Sequence, residues 1–125
     1  MFISMLVSAF LSCFCPAQQQ PFRSLDNETF AEEISVPGVQ IVDVRTAREF
    51  EEGHIPGAVQ IDVNERDFLE KCRIGLDTGK TVAVYCRSGR RSKEAAAILA
   101  AAGYRVIELS GGFLGWDGET EKSDG

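Results

Sequence analysis

One stretch of this chain concentrates chemistry: Cys86-Arg87-Ser88-Gly89-Arg90-Arg91-Ser92. Three arginines stand within five residues of a cysteine, in a chain whose formal net charge is −6. The reactive form of a cysteine is the thiolate, an anion. Guanidinium groups, convergent backbone N–H donors and the positive end of a helix all favour that anion over the thiol. The same field would hold an anionic substrate beside the sulfur, because a guanidinium fork matches an oxyanion in shape as well as charge. The segment reads as an anion cradle with Cys86 at its base. Arg87, Ser88, Gly89, Arg90, Arg91 and Ser92 form its substrate-binding wall. The competing reading is a core cysteine followed by solvated arginines, but a core cysteine needs neither a glycine-bearing loop nor a cationic cluster.

Such a cradle has to be placed by the elements on either side of it. TVAVY, residues 81–85, is apolar nearly throughout, as strands buried on both faces are. An alanine-rich helix follows from about Arg91 to Ala102, closed by Gly103 where a left-handed cap is favoured. In an open α/β sheet, ligands bind beyond the carboxyl ends of strands, against helix N-termini. The loop lies at such a place, and Gly89 permits backbone angles that a side chain would forbid. Elsewhere the pattern predicts a short helix over 25–34 capped by Asp26 or Asn27, a strand over 39–44 and a helical turn over 47–52. A second strand over 58–63, a helix over 66–72 and a last strand over 104–109 complete it. The alternation implies an α/β fold with a mainly parallel central sheet flanked by helices on both faces. Residues 18–24 read as a linker, 25–118 as the folded domain and 119–125 as a flexible tail.

With 125 residues the chain has room for one domain. Its acidic balance argues against nucleic-acid binding, which wants a basic face. The opening MFISMLVSAFLSCFC has no charged side chain and is followed by Pro16, Ala17 and three glutamines. It is shorter than the roughly 20 apolar residues of a membrane span, so residues 1–17 read as a signal peptide cleaved after Ala17. Export to a periplasm follows. A lipid anchor at Cys13 is the alternative, although Phe10 and Leu11 suit that cleavage motif poorly. Of the four cysteines, Cys72 and Cys86 would remain after cleavage. One histidine and no CxxC pair give no metal site, and no cofactor is expected.

IVDVRTAREFEEGHIPGAVQI, VYCRSGRRS and GGFLGW together resemble the single-domain rhodanese (thiosulfate sulfurtransferase-like) family, over about Leu25 to Trp116. The chain is expected to be a monomer, and the resemblance implies a sulfurtransferase in which Cys86 attacks the outer sulfur of a donor such as thiosulfate. The Cys86 persulfide so formed would then pass its sulfur to cyanide or a thiol. It also implies that the loop amides from Arg87 to Ser92 stabilise the persulfide and that Arg87, Arg90 or Arg91 binds the donor's oxygens. Two alternatives stand beside it. One is a module that carries or senses persulfide without fast turnover. The other is a phosphatase or arsenate reductase of the same fold, whose C-X5-R loop is one residue longer than the C-X4-R from Cys86 to Arg91. Among the remaining candidates, Asp43 and Arg45 read as a structural ion pair near the site and His54 as a satisfied turn residue rather than half of a Cys–His dyad. Trp116 and Cys72 read as packing residues, a resolving-thiol role for Cys72 being the alternative.

Overall fold

The computed structural model describes residues 21–123. The signal-peptide reading, the Ala17 cleavage point, Cys13 and Cys15 therefore lie outside the described residues. Five strands form one sheet in the order β1-β5-β4-β2-β3. They are β1 (Arg23–Leu25), β2 (Gln40–Asp43), β3 (Val59–Gln60), β4 (Val82–Tyr85) and β5 (Val106–Leu109). Every pairing is parallel. The helices are α1 (Asn27–Ile34), α2 (Ala47–Glu52), α3 (Phe68–Gly75) and α4 (Arg90–Ala101), with a 3-10 turn at Phe113–Gly115.

The central strands β4 and β5 are buried at all four positions, as the apolar run of β4 foretold. Period-two alternation then sorts their side chains onto two faces. On one face Val82, Val84, Cys86 and Val106 pack with Phe68 and Cys72 of α3 and with Ala95, Ala96 and Leu99 of α4. On the other, Ala83, Tyr85, Ile107 and Leu109 pack with Phe30 of α1, Ile55, Phe113 and Trp116. Each large side chain so buried contributes about 1.5–3 kcal/mol. That burial, through Phe30, holds the eight-residue α1, which is too short to persist alone, whereas the six-residue α2 buries no side chain and rests on its capping box and on the grip of Glu49 on Arg91. Caps supply the rest: Asp26 accepts from the Thr29 amide at 2.8 Å, and Thr46 forms a reciprocal capping box with Glu49.

Several boundaries differ from the sequence reading. Residues 23–25, with 23 and 24 expected in a linker and Leu25 at the start of a helix, are a strand that pairs Ser24 with Glu108. Three residues are too few to carry a periodic signal. The second predicted strand is cut to Val59–Gln60. Ile61 and Val63 still donate to the Asp43 and Val44 carbonyls, but the Asp62 carboxylate takes the Asn64 amide and turns the chain. Helix α3 begins and ends later than 66–72, because residues 62–67 form turns closed by Glu65 and Phe68 amides. The expected flexible tail is corrected over 119–123. Glu121 exchanges both backbone hydrogen bonds with His54 at 2.9 Å, Ser123 donates to Glu51, and the Trp116 indole donates to the Glu119 carbonyl.

Candidate active site

Cys86 follows the last residue of β4, and α4 starts four residues later. The connecting loop turns back over the sulfur. Gly89 adopts φ +97° at the N-cap of α4, where a β-carbon would run into the Ser110 carbonyl. That turn aims the Gly89 and Ser92 amides at Cys86 Sγ, at 3.1 and 3.2 Å. The GGF segment clamps the loop from the other side: Phe113 donates to the Cys86 carbonyl at 2.8 Å and Leu114 to the Arg87 carbonyl at 3.0 Å. Gly112, at φ +70°, fits under Arg87 only because it lacks a side chain.

Cys86 is 1% exposed. Burial alone would push its thiol up. The Ser92 hydroxyl and the amides of Ser92, Gly89 and Ser88 outweigh that, and the thiol is held below its usual value. Cys72 meets only the first of these effects. Fully buried on α3, it is pushed up to about 11, which leaves it a poor nucleophile and agrees with the packing role.

The arginines divide into two kinds. Arg87 and Arg90 are exposed and, with Ser88, Arg91, Asn64 and Glu94, line an open cleft of about 650 Å³. Arg91 is instead gripped in a fork by Glu49, Nη1 to Oε1 at 2.9 Å and Nη2 to Oε2 at 3.0 Å. The Arg91 bonds hold the Glu49 carboxyl at about 2. Glu49 in turn belongs to the capping box of α2, so this pair ties that helix to the active-site loop. Sequence reasoning missed Glu49. Its partner lies 42 residues away, and spacing along the chain carries no trace of the pair.

Asp43 and Arg45 are the buried ion pair expected, Nη2 to Oδ2 at 2.6 Å, with a further bond from Arg45 to the Gly53 carbonyl. The Arg45 guanidinium lies 4.5 Å from the centre of the Phe113 ring, and so braces the GGF clamp. Both nitrogens of His54 are occupied. Nδ1 donates to the Phe50 carbonyl at 2.8 Å, Nε2 lies 3.2 Å from the Glu121 carboxylate, and the ring stacks on Phe50. It forms no dyad with Cys86. Trp116 packs edge-on against Phe30, on the sheet face opposite the sulfur.

Beneath the loop lies a second group that the sequence reading did not single out. Glu108 of β5 is fully buried on the same face as Cys86. Its Oε1 accepts from the Ser24 hydroxyl at 2.5 Å, and its Oε2 accepts from the Ser92 hydroxyl at 2.6 Å and from Lys93 Nζ at 3.3 Å. A lone acid inside a strand that is otherwise apolar was the available signal. Among the described residues, no group of three or more histidine, cysteine or acidic side chains comes together as a metal site.

The rhodanese-like domain model matches residues 26–119, and the chain belongs to that family. It is 36% identical over 97 residues to a sulfurtransferase of Allochromatium vinosum, covering 75% of this chain and 87% of that protein. It is 36% identical over 88 residues to the thiosulfate sulfurtransferase GlpE of Pseudomonas savastanoi pv. phaseolicola, covering 69% and 79% of the two chains. Among solved structures, the rhodanese-like domain protein of Staphylococcus aureus superposes with a TM-score of 0.71 at 27% identity, covering 82% of this chain and all of that one.

Proposed function

We propose that the protein is a sulfurtransferase that carries sulfur as a persulfide on Cys86. The observation that carries this reading is the sulfur itself, at the base of a loop whose Gly89 and Ser92 amides converge on it at 3.1 and 3.2 Å. The thiolate attacks the outer sulfur of thiosulfate. A sulfur–sulfur bond forms to Cys86, the bond within thiosulfate breaks, and sulfite leaves with the electron pair. Cyanide or a thiolate then attacks the outer sulfur of the persulfide, and Cys86 departs as the thiolate it was at the start. Fixed amide donors suit both anions in turn and need no rearrangement between them. Arg87 and Arg90 would hold the donor's oxygens, since among the described residues neither is bound by a carboxylate as Arg91 is. The relatives' names, sulfurtransferase and thiosulfate sulfurtransferase, support the same chemistry. Incubation with thiosulfate and cyanide is expected to give thiocyanate over many turnovers. One equivalent of sulfur taken up and then held would mark a persulfide carrier instead.

The apolar leader supports export to a periplasm as part of this proposal. The mass of the protein from its own host is expected to match a chain beginning at Gln18. An intact Met1 overturns export by cleavage, and a lipid on Cys13 replaces it with membrane anchoring.

A further inference from the structure

We propose that Glu108 is the proton acceptor for Cys86, reached through the Ser92 hydroxyl as a two-step relay. The inference rests on Cys86 being the nucleophile. A carboxylate fully buried in a central strand is costly unless its oxygens are satisfied. Here they are, by Ser24, Ser92 and Lys93. What gives the arrangement a chemical consequence is the single proton of Ser92. That proton is given to Glu108 at 2.6 Å, so toward Cys86 the hydroxyl presents a lone pair, and the thiol donates to it at 3.5 Å. The three groups form one directed chain from S–H through O–H to carboxylate.

Charge can move along that chain without any heavy atom moving. The S–H bond breaks and its proton binds Ser92 Oγ. The original Ser92 O–H bond breaks and its proton binds Glu108 Oε2. Afterwards the hydroxyl donates to the thiolate and accepts from the neutral carboxylic acid, so no hydrogen bond is lost. The negative charge has passed from Oε2 to Sγ, where the Gly89 and Ser92 amides already point. Loss of the thiol proton to solvent would instead leave two anions separated by one hydroxyl in a dry interior. When an acceptor removes the sulfur and the site returns to rest, the proton can travel back.

The surroundings suit a shared proton. From α4, Lys93 Nζ lies against Glu108 and also bonds the Gly89 and Ser110 carbonyls, so it offsets the pair whichever member is charged. Arg91, at the start of the same helix, is close enough to sense the Cys86 charge. The neighbouring strands add no ionisable group beside Glu108: β1 contributes Ser24 and β4 contributes Val84. From α3, Cys72 shares the apolar cluster with Cys86.

The test is the pH dependence of Cys86 alkylation by iodoacetamide in the full chain, read on the Cys86 peptide by mass spectrometry. Two coupled groups sharing a proton give two ionisation steps with a reactive plateau between them. Glu108→Gln keeps the shape and hydrogen bonding but cannot take the proton. It is expected to give one step, with the plateau lost. Ser92→Ala, which leaves the carboxylate in place, should lose the plateau as well. A purely structural Glu108 predicts a lower melting temperature with the two-step profile retained, and that result overturns the relay. If Glu108→Gln does not fold, a single-step wild-type profile is overturning, and a two-step profile abolished by Ser92→Ala is supporting. Thiocyanate formation without Cys86 removes the proposed function as a whole. An unaltered Glu108→Gln profile with Cys86 essential removes only the relay.

Discussion

Cys86→Ser is expected to lower thiocyanate formation at least about a thousandfold, because removing the nucleophile of a covalent mechanism costs several orders of magnitude. Serine matches cysteine in shape, and its oxygen can accept the Gly89 and Ser92 amides as the sulfur does. The fold should therefore stay intact, with cooperative unfolding near the wild-type midpoint. What disappears is a group that ionises in this field and that can form and release a bond to sulfur. Thiocyanate production by the variant at near wild-type rate would rule out Cys86 as the sulfur carrier. Cys72 offers no substitute, since burial pushes its thiol up to about 11 and it sits on a helix rather than in the loop.

Much of this site could be read from one continuous segment. Strand, loop and helix follow one another between residues 82 and 101, and their local signals agree. An apolar run gave β4, a glycine gave the turn, and alanines closed by Gly103 gave α4. Convergence of amides on Cys86 then follows from backbone geometry, which is a local property. Contacts across the chain were not legible. The Glu49 grip on Arg91 joins residues 42 apart, and the Ser24–Glu108 bond joins residues 84 apart. Neither pair leaves a periodic mark. Strand β1 escaped notice for a related reason: Arg23 and Ser24 are exposed, and only Leu25 is buried. It is a strand because β5 has an open edge there, and an edge is a property of the assembled sheet. The docking of Glu121 on His54 belongs to the same class, since a polar tail is ordered only where a backbone partner awaits it.

These long-range pairs converge on the loop that local signals had already located. Glu49 reaches Arg91 from α2, Glu108 reaches Ser92 from β5, and the GGF segment reaches the Cys86 and Arg87 carbonyls. A loop of backbone donors is only as good as its rigidity, because each donor must stay within about half an ångström of its place. The sequence around Cys86 supplies the donors, and distant residues supply the stiffness.

Gly89→Ala tests that stiffness most severely. Gly89 sits at φ +97°, and the left-handed backbone alone costs a residue with a β-carbon about 1–2 kcal/mol. The new methyl would also meet the Ser110 carbonyl, a backbone atom fixed by the hydrogen bond from the Ser110 amide to Leu25. Neither side can yield cheaply, so the total should reach roughly 3 kcal/mol or more, within the range for strain at a special backbone position. Movement of the loop would also take the Gly89 amide away from Sγ and weaken the field that lowers the thiol. The folded fraction should then alkylate at Cys86 only at higher pH than wild type. Gly75→Ala is the matching control: it lies at the end of α3 with open space around the new carbon, and should change stability by no more than about 0.5 kcal/mol. Urea unfolding of the two variants, with Cys86 alkylation followed in each, separates the effects. A Gly89→Ala protein as stable as the control and with an unshifted thiol would mean that the loop is held by something other than the backbone geometry of this glycine.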